Sequence, residues 1–259
     1  MGEEGRKRGD TDQDYIRLHR SIGKLSQGWE KGMRKVEPAP GYPPEEGRYV
    51  RGNDYSPVAV VVILIYNQES IPPDIENLVR VGVESGAALS GTLQTENIGI
   101  EKIICNVVAN PNIRYLILFG PESPGHHCGE ALSMLVQNGV DERRRIIGAQ
   151  ALTPYLFNLP MEYIARFRQQ VQIINLVDEG DPELLRSAVH CCFQEEPVPF
   201  RNYTLHDPGA YPEDPLSGQL TWRVTRPQAE PKDDVERQQR EKLRDIMARF
   251  KKASERRNA

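Results

Sequence analysis

Hydrophobic and polar positions divide this chain into a polar beginning, an α/β middle and a highly charged end. The middle opens with Ser56-Pro57 and then Val58-Ala59-Val60-Val61-Val62-Ile63-Leu64-Ile65, a β-branched run suited to a strand buried on both faces. Ile71-Pro72-Pro73 breaks the chain, and Asp74 to Val83 reads as a short helix. Gly86-Ala87-Ala88-Leu89-Ser90-Gly91 is a small-residue strand or turn, open enough for a second backbone or a flat ligand to come close. After Thr95-Glu96-Asn97, the residues Ile100, Ile103, Ile104, Val107 and Val108 keep i, i+3, i+4 spacing, so a helix with one core face is expected. Asn110-Pro111-Asn112 ends it, and Ile113 to Gly120 is another apolar run of strand length.

The pattern then repeats. Ala131, Leu132, Leu135 and Val136 sit at helical spacing up to the stop signal Asn138-Gly139. Arg145-Ile146-Ile147-Gly148-Ala149-Gln150 is a third strand candidate, followed by a helix from Asn158-Leu159-Pro160 through Gln170. Val171 to Asp178 is a fourth strand. Asp181-Pro182-Glu183 supplies an N-cap, a first-position proline and a first-turn acid for a helix through Phe193. Alternating strands and helices predict an α/β fold: a Rossmann-like, three-layer domain with a mainly parallel sheet and right-handed crossovers.

Four segments follow from this reading: a polar N-terminal arm over 1–46, the α/β domain over 47–196, a loop with an edge strand over 197–231, and a charged helical tail over 232–259. In the arm, Tyr15, Ile16, Leu18, Ile22 and Leu25 line one side of a short helix, or the region is simply disordered; Glu37 to Pro44 is too proline-rich for a helix. Leu220-Thr221-Trp222-Arg223-Val224-Thr225 alternates like an edge strand. On the tail, Val235, Leu243, Ile246, Met247 and Phe250 make a narrow stripe, which is either solvated or docks a partner helix.

Charge changes this picture little. With 33 basic and 37 acidic residues the net charge is -4, so no nucleic-acid partner is expected. Mean hydropathy is -0.57. The longest apolar run, Val58 to Tyr66, is far below the roughly 20 residues of a membrane span. No secretory signal is evident and the four cysteines suit reduced thiols, so a cytoplasmic protein without membrane insertion is expected.

The candidate chemistry lies just past the Ile113–Gly120 run, in Pro121-Glu122-Ser123-Pro124-Gly125-His126-His127-Cys128-Gly129. Ligands of open α/β sheets bind beyond the carboxyl ends of strands. Two imidazoles in a glycine-flanked loop there are metal-ligand candidates, or else caps of the following helix. The common dinucleotide and nucleoside-triphosphate glycine motifs are missing, as is a nucleophile elbow. His126-His127-Cys128 and His190-Cys191-Cys192 lack the spacing of a tetrahedral zinc site, and Cys105, Cys191 and Cys192 read better as core residues.

Several runs occur in order without large gaps: Ser56-Pro57-Val58-Ala59-Val60, Thr95 to Lys102, Asn110 to Arg114, Gly125-His126-x-x-Gly129, Gln137 to Asp141, and Ile146 to Ala149. Over about residues 47 to 195 the chain closely resembles the A subunit of tetrahydromethanopterin S-methyltransferase. The resemblance implies a corrinoid on a Rossmann-like domain, with His126 as the lower axial ligand to cobalt, because both Gly125 and Gly129 match. It implies a carrier of methyl groups between a tetrahydropterin-type donor and an acceptor such as a thiol, working with a methyl-transferring partner subunit. The alternative is a cofactor-free interaction module that kept the fold, and a zinc hydrolase is a third class.

Other cobalamin carriers use D-x-H-x-x-G. Pro124 stands at the aspartate position here, with Glu122 as a candidate replacement. Small residues Gly86, Gly91, Gly120, Gly148 and Ala149 are expected to give a macrocycle room, and Gln150 and Thr153 to bond its amides. Three departures stand out: the family's terminal membrane helix is replaced by the charged helix, the arm is longer, and Tyr42-Pro43 replaces a Trp-Pro.

Overall fold

The computed structural model describes residues 34–65 and 71–220, together with 233–235, 237–238, 241–242 and 244. The elements run β1 (Tyr49–Arg51), β2 (Val58–Ile63), α1 (Pro73–Glu84), β3 (Leu89–Leu93), α2 (Ile98–Val108), β4 (Tyr115–Gly120), α3 (Cys128–Asn138), α4 (Met161–Gln170), β5 (Gln172–Val177), α5 (Pro182–Cys192), β6 (Val198–Phe200) and β7 (Tyr203–Leu205). Five strands form one sheet in the order β1-β3-β2-β4-β5. All neighbours are parallel except the β1 edge, which pairs antiparallel with β3.

The centre of this sheet is β2 and β4, every residue of which is buried. Such strands must be apolar on both faces, as their sequences are. Ala59, Val61, Leu116 and Leu118 pack with α2, α3 and α4 in one cluster. Val58, Val60, Val62, Ile117 and Phe119 pack with α1 and α5 in the other. Two helical layers therefore enclose the sheet. The chain leaves β2 for β3 on one side and then recrosses to β4 on the other, so strand order reverses at β2. Crevices at the carboxyl edge of such a reversal are where α/β proteins bind ligands.

Local signals set several helix ends. Asn97 Oδ1 accepts the Ile98 amide at the start of α2. Asp181 Oδ1 accepts the Glu183 amide at the start of α5, with Pro182 at the first position. Arg168 of α4 donates to the Val136 and Gln137 carbonyls, satisfying the end of α3.

Two expectations change and one open alternative is settled. The strand expected over Arg145–Gln150 is replaced by two isolated bridges, Val140 with Ile146 and Arg145 with Tyr155. Ile147 is 45% exposed and Gly148 turns the backbone to φ +87°, so this run lacks the continuous burial of an inner strand. The inner strand instead comes from the small-residue stretch, as β3. Third, residues 34–46, read as arm, are packed against the domain. Ala39 and Tyr42 join the core, Val36 and Asn112 exchange hydrogen bonds, and Lys35 Nζ lies 2.6 Å from Asp207 Oδ2. The helix proposed around Tyr15–Leu25 and the edge strand after Leu220 lie outside the described residues, as does most of the 232–259 tail.

Candidate functional site

The loop after β4 is tied down by its own side chains. Glu122 turns back onto the start of α3, where its carboxylate accepts the amides of Ser123, Gly129 and Glu130. An acid suits the orphan donors and positive end of a helix N-terminus. The Ser123 carbonyl accepts the amides of His126 and His127, which wraps the chain into a tight turn. Gly125 makes that turn at φ +80°, and His127 enters α3 at φ 43°. A left-handed residue that is not glycine signals a backbone held by its surroundings.

Gly129 follows a different rule. A Cβ there would come within 2.5 Å of Ile63 Cδ1, 2.9 Å of Val177 Cγ2 and 3.0 Å of Glu122 Oε2. Its bare Cα lets the first turn of α3 seat on the ends of β2 and β5.

His126 projects from this loop with its side chain 24% exposed, and its Nδ1 lies 2.9 Å from Glu96 Oε2. Glu96 follows β3, is 1% exposed, and receives on its other oxygen both the Thr153 amide (2.9 Å) and hydroxyl (2.7 Å). Asn97 Nδ2 in turn donates to the Thr153 carbonyl and hydroxyl oxygens. Burial pushes the Glu96 pKa up, but the bonds from Thr153, its own backbone and His126 outweigh this and hold it below the ordinary value. An ionised carboxylate only accepts, so the nitrogen facing it, Nδ1, is the donor, and in the neutral ring the lone pair is then on Nε2. An imidazole oriented this way by a carboxylate is the arrangement found behind metal-ligating histidines.

The remaining residues singled out from the sequence take different roles, and two lie elsewhere: Gly86 precedes β3 and faces Phe193, and Gly91 sits mid-strand against Tyr49. Gly120 closes β4 opposite Val177. Gly148 lies beside Asn138, and Ala149 is buried with its carbonyl accepting from Arg145. The Gln150 amide donates to Glu130. Thr153 points its hydroxyl at Glu96. Glu122, the carboxylate proposed to back His126, is engaged at the helix start, and Glu96 backs the imidazole instead. Glu96 escaped sequence reading because it looked only like a helix-entry residue.

The cysteines do not join the site as ligands. Burial pushes the Cys128 and Cys105 thiols up to about 12, which keeps them protonated. Among the described residues no three His, Cys, Asp or Glu side chains are placed to hold one metal ion. No helix among them is long and apolar enough to cross a membrane.

Comparison with known proteins agrees with the geometry in extent. The sequence profile of the family described as the A subunit of tetrahydromethanopterin S-methyltransferase matches residues 35–222. That interval takes in Lys35 and the Ala39 and Tyr42 contacts with the core. The first of two A subunits of this methyltransferase from Methanothermobacter marburgensis is 43% identical over 174 residues, covering 67% of this chain and 68% of the relative. The second A subunit from Methanothermobacter thermautotrophicus is 40% identical over 186 residues, covering 71% and 90%. The A subunit from Methanococcus aeolicus is 38% identical over 183 residues, covering 70% and 68%. With the family match spanning most of the chain, this protein belongs to the family of tetrahydromethanopterin S-methyltransferase A subunits.

Proposed function

We propose that the chain is a corrinoid-carrying subunit of a methyltransferase, in which His126 ligates cobalt through Nε2. The observation that carries this reading is the 2.9 Å contact between His126 Nδ1 and the buried Glu96 carboxylate at the sheet's carboxyl edge. A single imidazole is a complete protein contribution when the metal arrives with its other donors already in place, as cobalt does in a corrin ring. The donor set therefore fits the cofactor. When bound, a corrinoid supplies a nucleophilic cobalt that accepts a methyl group from a tetrahydropterin-type donor and passes it to an acceptor such as a thiol.

The chain's own residues bind and orient. Glu96 fixes the Nδ1–H tautomer and strengthens Nε2 as a donor by placing negative charge behind the ring. Thr153 holds the second Glu96 oxygen, so the carboxylate cannot turn away without losing two bonds. Gly120, Gly125, Gly148 and Ala149 keep this edge low, and Gln150 offers an exposed amide side chain to the rim. Methyl donor and acceptor are brought by a partner subunit, in keeping with the relatives' names as components of a methyltransferase.

The test is a visible absorption spectrum of the protein mixed with cobalamin. The wild type should show the imidazole-ligated, base-displaced spectrum; His126→Ala should lose it and His127→Ala should keep it. Retention of the spectrum in His126→Ala would remove His126 as the ligand, and no binding by any of the three proteins would remove the carrier reading.

A further inference from the structure

A cavity of about 300 Å³ lies between the β1 edge and α2, and His126 is not among its lining residues. This is at the small end of ligand pockets, which run from roughly 300 to 1,000 Å³. It is too small for a corrin ring, and it runs along the sheet face as far as Gln94 and Thr95, just past the end of β3.

Its construction is specific. The floor is aliphatic, from Ala59, Val61, Leu89 and Leu116, and α2 adds Ile103 and Val107. Interiors are normally packed to crystal density, so an apolar space of this size leaves many side chains without neighbours. Its charged lining residues are Glu46, Arg48 and Lys102. Arg48 is exposed on the rim, and its carbonyl accepts the Thr92 amide. Lys102 Nζ reaches across from α2 to the Glu46 carbonyl, 2.9 Å away. Two side-chain cations at the rim, against the one carboxylate of Glu46, leave the mouth with net positive charge.

We infer that this cavity is a binding site for a small apolar acid, a short acyl chain or single ring whose carboxylate meets Arg48 and Lys102 at the mouth. The aliphatic floor takes the apolar body. A neutral or cationic molecule of the same shape leaves the two rim charges unmatched, so the site discriminates by charge. The inference does not rest on the methyl-carrier reading: it uses Arg48, Lys102 and the aliphatic floor, none of which belongs to the Glu96–His126 pair, although Thr95 at one end of the cavity is the residue before Glu96.

The probe is 8-anilinonaphthalene-1-sulfonate, an apolar aromatic anion, followed by fluorescence on the full chain and displaced with octanoate, octanol or octylamine. One saturable site is expected, displaced by octanoate at least tenfold more effectively than by octanol or octylamine. Arg48→Glu, an exposed change that leaves the core intact, should weaken the probe about tenfold, the worth of one charge-assisted bond. Ile103→Trp should block the cavity and abolish saturable binding, while His126→Ala leaves it unchanged. Absence of a saturable site overturns the inference. So does equal displacement by the three octyl compounds, or binding that survives both Arg48→Glu and Ile103→Trp in proteins with wild-type circular dichroism.

Discussion

Glu96 and His126 stand 30 residues apart in the chain and meet at 2.9 Å, one leaving β3 and the other leaving β4. Strand β2 lies between those two strands, so the hydrogen bond bridges the loops on either side of the strand where the sheet order reverses. This contact gives the imidazole a fixed orientation and tautomer before any ligand arrives.

Replacing that carboxylate therefore has two separable effects. Glu96→Ala leaves the Thr153 amide and hydroxyl and the His126 Nδ1–H without their acceptor. Thr153 is exposed and His126 partly so, which lets water replace part of the acceptor, and we expect a loss of about 0.5–1.5 kcal/mol in urea unfolding. Glu96→Gln keeps an acceptor oxygen but removes the charge, so stability changes less. Corrinoid affinity, read by absorbance titration, should still fall about 10–100-fold, as when partners behind a metal-ligating histidine are altered. Equal corrinoid affinity in Glu96→Gln and wild type would show that the carboxylate does not tune the ligand.

The lowered Glu96 pKa also predicts an acid response. The folded state holds this carboxylate ionised to lower pH than the unfolded chain, whose glutamates titrate near about 4.3. The unfolded state thus binds more protons in that window. Stability from this group is complete above the ordinary carboxylate value and is lost as pH falls through the folded one. Urea midpoints measured from pH 6 down to pH 3 should decline more steeply in wild type than in Glu96→Gln. Parallel curves would mean that Glu96 does not contribute to the acid limb.

Much of the fold was legible because its signals are local. The β-branched run at Val58, the Asp181-Pro182-Glu183 helix start and the Asn138-Gly139 stop each depend on a few adjacent residues. The inner strand β3 was harder, since Ser90 and Gly91 carry little apolar bulk even though Ser90 is buried. Gly91 is there because a Cβ would lie 2.5 Å from Tyr49 Cβ on the neighbouring edge strand, a fact about pairing and not about its own neighbours. Ile146-Ile147 misled in the opposite way: it has strand composition, but only Ile146 faces the core. In the site, His126 was found by its glycine frame, whereas Glu96 acquires its role only when two loops are brought together.

The two glycines framing His126 should respond differently to alanine. At Gly129 the new methyl strikes the side chains of Ile63, Val177 and Glu122, and Ile63 is fully buried, so it has little room to move. Overpacking of this kind costs about 1–3 kcal/mol, and it should tilt α3 and displace His126. At Gly125 there is open space, with nothing within 4 Å, but the φ of +80° is unfavourable for alanine. Left-handed backbone costs an L-residue roughly 1–2 kcal/mol. Gly125→Ala should therefore lower stability yet leave the cobalamin spectrum intact, while Gly129→Ala alters both. Identical spectra for the two variants would separate the packing of α3 from the placement of His126.

The N-terminal stretch makes the last prediction, because it is fastened by a buried ion pair. Lys35 and Asp207 have side chains only 7% exposed and lie 2.6 Å apart. Burial pulls the Lys35 pKa down, while the close contact and charge of Asp207 oppose it. Removing one partner of such a pair strands the other, at a cost of about 3–5 kcal/mol. Asp207 is partly compensated, since it also accepts the Gly209 amide, so Lys35→Met should fall at the low end, about 3 kcal/mol. The double variant Lys35→Met, Asp207→Asn removes both charges and should recover part of that loss, giving a coupling energy in a double-mutant cycle. Additive effects would show that residues 34–46 are held by core packing of Ala39 and Tyr42 and by hydrogen bonds such as Val36–Asn112 and Glu45–Asn106, with the ion pair contributing nothing.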